Sequence, residues 1–227
     1  MKTRRTLLYA SAAVCIFIIG MTFTEQMLAP PYWLKSLIKA AMILLILGGG
    51  CAVSGKNLRE LTGFAPLHPE KRLIIPALCV IPAVLLGFWL LRGQLDLPAI
   101  RQNLMQKEQL TKANCLFVFA YIAAVNSLLE EALFRGMLFQ AFADSGKQRS
   151  GWIFAPLAFA VYHIGIVDSW LSLPMLLLCI LLLWGAGAFL QWICVRFASL
   201  KASWLVHACA NLAINAVGIL LIFFCEP

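Results

Sequence analysis

Charge is what this sequence has least of. Only 12% of its 227 residues are Asp, Glu, Lys or Arg, about half of the roughly 25% that a soluble domain uses to face water. Acidic residues number ten and histidines three, so an ionisable group inside an apolar run stands out at once. Paired cysteine motifs are also missing. Eight cysteines are present, but Cys15, Cys51, Cys79, Cys115, Cys179, Cys194, Cys209 and Cys225 stand singly, mostly within apolar runs, and no C-x-x-C occurs. That placement excludes a disulfide framework or a thiolate metal site and predicts small buried hydrophobes. Internal repeats and low-complexity tracts are absent, and the polar stretches are too short to hold an extramembrane domain. What remains is apolar: 62% of the chain, with a mean hydropathy of +0.88. The composition is that of an integral membrane protein, whose surface faces lipid.

A net charge of +8 does not point to nucleic acid here. The basic residues gather between apolar runs, where they orient the chain and meet anionic headgroups. A spanning helix needs about 20 largely apolar residues. Runs of that kind cover Leu7–Thr24, Leu37–Ser54, Leu73–Leu91, Ala113–Ala143, Gly151–Val167, Pro174–Phe197 and Ser203–Phe224. The expectation is an all-α, polytopic bundle of about seven spanning helices. Residues 1–112 form its N-terminal membrane helices and 113–227 a second, motif-bearing helical core. The fourth run is longer than a span requires. The fifth is short, and Pro156 within it predicts a kink.

With the N-terminus inside, the inner segments hold Lys2, Arg4, Arg5, Lys56, Arg59, Lys71, Arg72, Lys147, Arg149, Arg196 and Lys201. The outer ones hold Lys35, Lys39, Arg92, Arg101, Lys107 and Lys112. This imbalance favours a cytoplasmic N-terminus and an outer C-terminus. The basic, amphipathic stretch Leu95–Lys112 reads as a helix lying on the outer surface. Lys2, Arg4 and Arg5 before an apolar run also suggest a signal peptide, but no small-x-small site follows within Gly20–Gln26, so a retained anchor is expected.

Ionisable side chains inside a span cost at least about 2.5 kcal/mol at its centre and usually mark function or a structural pair. Two of the acidic residues, Glu130 and Glu131, sit inside the fourth run, and two of the histidines, His163 and His207, inside the fifth and seventh. Residues four apart share a helix face, offset by about 40°. Glu131 therefore faces with Arg135, and Glu130 with Asn126 and Phe134. Phe159 stands one turn before His163 and can support its ring. His207, Asn211 and Asn215 form a polar stripe that should face protein or water. A carboxylate in an apolar pocket suits a general base, a histidine can help hold and deprotonate water, and a second histidine with an asparagine supplies donors for a developing oxyanion. Taken singly, each residue also has a structural explanation: a packing ion pair, a bonded core histidine, an asparagine joining helices. Their concentration in three spans favours function.

The same segments resemble a known family. Glu130-Glu131-Ala132-Leu133-Phe134-Arg135 is similar to the EExxxR motif of the CPBP (Abi) family, Phe159-Ala160-Val161-Tyr162-His163 to its FxxxH motif, and His207-Ala208-Cys209-Ala210-Asn211 to its HxxxN motif. That family includes the type II CAAX prenyl proteases and bacterial intramembrane peptidases. The resemblance covers about Ala113 to Asn215 and leaves the first three spans without a signature. It implies a glutamate-dependent intramembrane endopeptidase without metal or other cofactor, acting on a peptide or membrane-protein substrate. Glu130 and His163 would activate water, His207 and Asn211 would hold the oxyanion, and Glu131, Arg135, Phe159 and Asn126 would support them. A zinc site of two histidines and a glutamate is the rival chemistry, but H-E-x-x-H is absent and the ligands would come from three helices. Two other functions stay open: a non-catalytic scaffold or bacteriocin self-immunity factor of the same fold, and a proton-coupled transporter.

Overall fold

In the computed structural model, residues 2–66, 71–167 and 171–224 are described, and every regular element among them is helical. Six helices are long and apolar enough to cross a membrane. They are α1 (Lys2–Leu28), α2 (Tyr32–Ser54), α4 (Lys71–Gln94), α6 (Cys115–Asp144), α9 (Leu173–Arg196) and α10 (Leu200–Phe223). Shorter pieces lie between them: α3 (Leu58–Thr62), α5 (Leu97–Gln102), α7 (Gln148–Tyr162) and α8 (Ile164–Val167). Helices dominate because lipid offers no partner to a free N–H or C=O, so each span must satisfy its own backbone.

The run Gly151–Val167, expected as a seventh span, is covered by two pieces, α7 and the short α8 directly after it, and is not among the six. α7 has 15 residues, about 22 Å at 1.5 Å per residue against a hydrocarbon core of about 30 Å. It runs through Pro156 without interruption and stops at His163, whose N–H bonds to the Ala160 carbonyl. The stretch Leu95–Lys112 is largely helical, as α5 followed by the wider turns Asn103–Lys107.

Despite the short α7, segments grouped by their basic residues do share an end. Ser145 Oγ donates to Thr3 O at 3.1 Å, Lys56 Nζ pairs with Asp144 at 2.5 Å, and Ser199 Oγ donates to Ala65 O at 2.9 Å. At the opposite end, Lys35 Nζ sits 2.5 Å from Glu25 and 2.7 Å from Glu108, and Arg101 Nε donates to Leu221 O at 3.1 Å. Lys35 and Lys39 are not the loop cations expected from counting. Both are buried on α2.

α6 runs through the middle of the bundle. Residues 130–139 are buried without a break, which no lipid-facing helix shows. Phe134 is its hub, with ring centroids of Phe159 at 5.6 Å, Tyr162 at 6.0 Å and Phe17 at 6.4 Å. In a bilayer such packing and cross-helix hydrogen bonds replace the hydrophobic effect as the glue. Gly136 permits the closest approach: a Cβ there would lie 2.8 Å from Thr62 Cα of α3. The outward faces carry large apolar residues such as Phe117, Leu45 and Ile19. The cysteines divide otherwise than expected. Cys115 and Cys194 are buried, but Cys15 and Cys79 face outward; no bridge forms among the described residues, and Cys225 lies outside them.

Candidate active site

The site is built on α6 where its winding changes. A regular turn, Ser127–Glu131, lies between two wider stretches with i→i+5 bonding, Ile122–Asn126 and Ala132–Leu138, a form that concentrates at functional sites. α10 is fastened to the carbonyls of this helix by side chains. Asn215 Nδ2 donates to Phe119 O at 2.9 Å, Asn211 Nδ2 to Ile122 O at 3.3 Å, and Trp204 Nε1 to Ala124 O at 2.8 Å. The stripe His207–Asn211–Asn215 thus faces α6, not lipid. These bonds fix the height of His207 beside the two glutamates.

The two carboxylates have different partners. Glu130 Oε1 accepts from Asn126 Nδ2 at 2.9 Å and from Lys39 Nζ at 3.0 Å, while the same ammonium donates to Asn126 Oδ1 at 2.5 Å. Glu130 Oε2 lies 3.7 Å from His207 Nε2, beyond hydrogen-bond reach. Glu131 Oε1 accepts from His207 Nδ1 at 2.9 Å and pairs with Arg135 Nη1 at 3.0 Å. Both glutamates, Arg135, Lys39 and His207 are all buried. Two cations against two carboxylates leave the cluster neutral when both histidines are neutral. That balance is what permits burial, since an unpaired charge here would cost several kcal/mol (about 3–5 when one partner of a buried pair is removed).

The hydrogen bonds also set the histidine tautomers. His163 Nδ1 is 2.7 Å from Phe159 O, and a carbonyl only accepts, so the proton is on Nδ1 and a neutral His163 keeps a lone pair on Nε2. His207 likewise places its Nδ1 proton on Glu131. Phe159 holds this corner together: its ring lies 4.6 Å from that of His163, 5.7 Å from that of His207 and 4.1 Å from the Arg135 guanidinium carbon. Tyr162 packs on the other side of His163 at 4.9 Å, with Lys39 Nζ 5.0 Å from its centroid.

Seven residues singled out from sequence meet here, Glu130, Glu131, Arg135, Asn126, Phe159, His163 and His207, whereas Asn211, one turn after His207, bonds Ile122 O two turns before Glu130. The one-turn pairs expected on α6 and α7 are present. Two neighbours were missed. Lys39 carried a signal, since it falls inside the apolar run Leu37–Ser54, where a lysine is costly. Tyr162 carried none. The bond between His207 and Glu131 was not foreseen either.

As a metal centre the donors fit poorly. No group of three or more His, Cys, Asp or Glu among the described residues is arranged to hold a metal. The Lys39 ammonium already occupies the approach to Glu130 Oε1, and Arg135 with His207 occupies Glu131 Oε1. The arrangement leaves unengaged one oxygen of Glu130 and Nε2 of His163, a carboxylate and an imidazole of the kinds that can activate water.

Comparison with known proteins agrees in place. The family model described as type II CAAX prenyl endopeptidase Rce1-like matches residues 112–213. No curated protein and no solved structure matches the chain.

Proposed function

We propose that this chain, which belongs to the Rce1-like type II CAAX prenyl endopeptidase branch of the CPBP family through residues 112–213, is an intramembrane peptidase whose water is activated by Glu130 and His163. The observation that supports this most is the unequal engagement of the two glutamates. Glu130 Oε1 is held by Lys39 and Asn126, so Oε2 is the oxygen left to take a proton. Glu131 is committed to Arg135 and His207. The first is a base held in place, the second a support.

The steps follow from these positions. Water between Glu130 Oε2 and His163 Nε2 gives up a proton as its oxygen adds to the substrate carbonyl. With Glu131 behind Nδ1, His207 can carry a second proton on Nε2 and donate it towards the carbonyl oxygen as that becomes negative. One Asn211 N–H is used by Ile122 O, and the other is free to join it. The abstracted proton then passes to the leaving nitrogen as the C–N bond breaks. Lys39, from the N-terminal helices, holds Glu130, so residues 113–227 supply the catalytic groups and 1–112 complete their setting. The substrate is a membrane-associated peptide or protein, no metal takes part, and the N-terminus faces the cytoplasm of a bacterial cell.

The test compares membrane-protein termini by mass spectrometry in cells carrying the wild type, a deletion, or Glu130→Gln at equal expression. A terminus that appears only with the wild type is the expected result and names the substrate. If Glu130→Gln gives the same termini and rescues the deletion phenotype, catalysis is wrong and a binding role, as a scaffold or immunity factor, replaces it.

A further inference from the structure

Gln191 of α9 is fully buried, and neither its Oε1 nor its Nε2 has a hydrogen-bond partner among the described residues. Buried amides are ordinarily bonded. Three other buried polar atoms among the described residues share this condition: Glu131 Oε2, Arg135 Nη1 and, beside Lys39, Tyr162 Oη. The Arg135 nitrogen is 3.0 Å from Glu131 Oε1 as an ion pair, without the alignment of a hydrogen bond.

The placement of Gln191 relates it to the Glu131–Arg135 pair. Gly187, Gln191 and Cys194 lie within about 60° of one another around α9. The Gly187 carbonyl accepts from Arg135 Nη2 at 3.3 Å. Cys194 is buried and close enough to Glu131 to feel its charge. Gln191 lies one turn after Gly187 and one before Cys194, so its buried side chain is on the face of α9 that meets Arg135. The unfilled capacities are complementary. Arg135 Nη1 needs an acceptor and Gln191 Oε1 is one; Glu131 Oε2 needs a donor and Gln191 Nε2 is one.

We propose that Gln191 is a positioning residue, its amide accepting from Arg135 Nη1 and donating to Glu131 Oε2, directly or through one shared water. Glu131 Oε1 already holds His207 Nδ1. Holding Oε2 as well prevents the carboxylate from rotating, which keeps Oε1 on His207 and keeps His207 Nε2 turned to the Glu130 side. Gln191 thus acts on the ring through Glu131 without touching substrate. Its catalytic consequence rests on the peptidase reading; its effect on His207 does not.

The test uses the full-length protein in lipid nanodiscs with 15N-labelled histidine. There are three histidines, so single substitutions assign their ring signals. In the wild type, His207 should show a protonated Nδ1 in slow exchange with water. Gln191→Met, near in size but without the amide, should speed that exchange about tenfold or more and leave His163 unchanged. Gln191→Glu, which keeps the acceptor and loses the donor, should move His207 in the same direction. An unchanged His207 in a folded Gln191→Met protein overturns the inference. If neither variant folds, an experimental wild-type structure decides. The amide should lie within about 3.5 Å, or one water, of both Glu131 Oε2 and Arg135 Nη1, and an amide bonded only to backbone overturns it. Once a substrate is in hand, Gln191→Met should lower kcat about tenfold to a hundredfold with KM nearly constant, and cause no further loss on a His207→Phe background. A disturbed His207 in a protein with no cleaving activity would retain the positioning role and remove the peptidase.

Discussion

Lys39→Met tests whether the ammonium or mere bulk holds Glu130. Lys39 and Glu130 are 3.0 Å apart and both buried, so solvent screening gives little relief. Removing one member of such a pair strands the other and costs about 3–5 kcal/mol. Glu130 keeps its bond from Asn126 at 2.9 Å, which puts the expected loss at the lower end, about 3 kcal/mol, or about a hundredfold in the folding equilibrium. Glu130→Gln alone leaves the ammonium facing a neutral amide, which costs about 2 kcal/mol. The double substitution removes both charges and lets the introduced amide bond Asn126, so it should fall within about 1 kcal/mol of wild type. The three values imply a coupling of about 4 kcal/mol, far above the ~0.5 kcal/mol scatter of independent sites. Reversible unfolding in mixed micelles, titrated with SDS and followed by tryptophan fluorescence, measures all four proteins. If the single losses simply add in the double variant, Lys39 does not hold Glu130 and its place in the site is wrong.

Two further outcomes follow from the same geometry. Cleavage should persist in a metal-stripped preparation with excess chelator, because Lys39 holds Glu130 Oε1, Arg135 and His207 hold Glu131 Oε1, and no group of three ligands is arranged for a metal among the described residues; a loss that zinc restores would refute this. Gly187→Ala should disturb the support of Glu131, since a Cβ there meets Pro156 Cβ at 3.1 Å and Arg135 Nη2 at 3.3 Å, whereas Gly185 has nothing within 4 Å. Thermal unfolding should show Gly187→Ala destabilised by about 1–3 kcal/mol and Gly185→Ala unchanged or slightly more stable; equal behaviour of the two would show that the close contact carries no strain.

Helices were legible because lipid forces every span to close its own hydrogen bonds, so a long apolar run has one outcome. Residues Gly151–Val167 are apolar enough to span, and two helical pieces cover them, Gln148–Tyr162 and Ile164–Val167, parted at His163, whose ring bonds the Phe159 carbonyl one turn back in the same helix; hydropathy carries no sign of that break. Within a helix, arithmetic at four-residue spacing was enough to pair Asn126 with Glu130, Glu131 with Arg135 and Phe159 with His163. Between helices no period exists to read. Which helix faces which decides that His207 bonds Glu131 and that Lys39 reaches Glu130.

Lys39 shows how a sound rule can hide a site residue. Counting lysines to orient a membrane chain treats each as a loop charge, yet Lys35 and Lys39 are one turn apart on the same buried face of α2. One closes an ion cluster with Glu25 and Glu108, the other enters the site. The motif makes Glu130 and Glu131 look like equal neighbours. Their difference comes from what other helices bring: Arg135 and His207 engage Glu131, while Lys39 and Asn126 hold one oxygen of Glu130 and leave the second without a hydrogen bond. The unequal engagement of the two carboxylates is therefore a property of helix packing, and a substitution on α2 should alter it as surely as one within the motif.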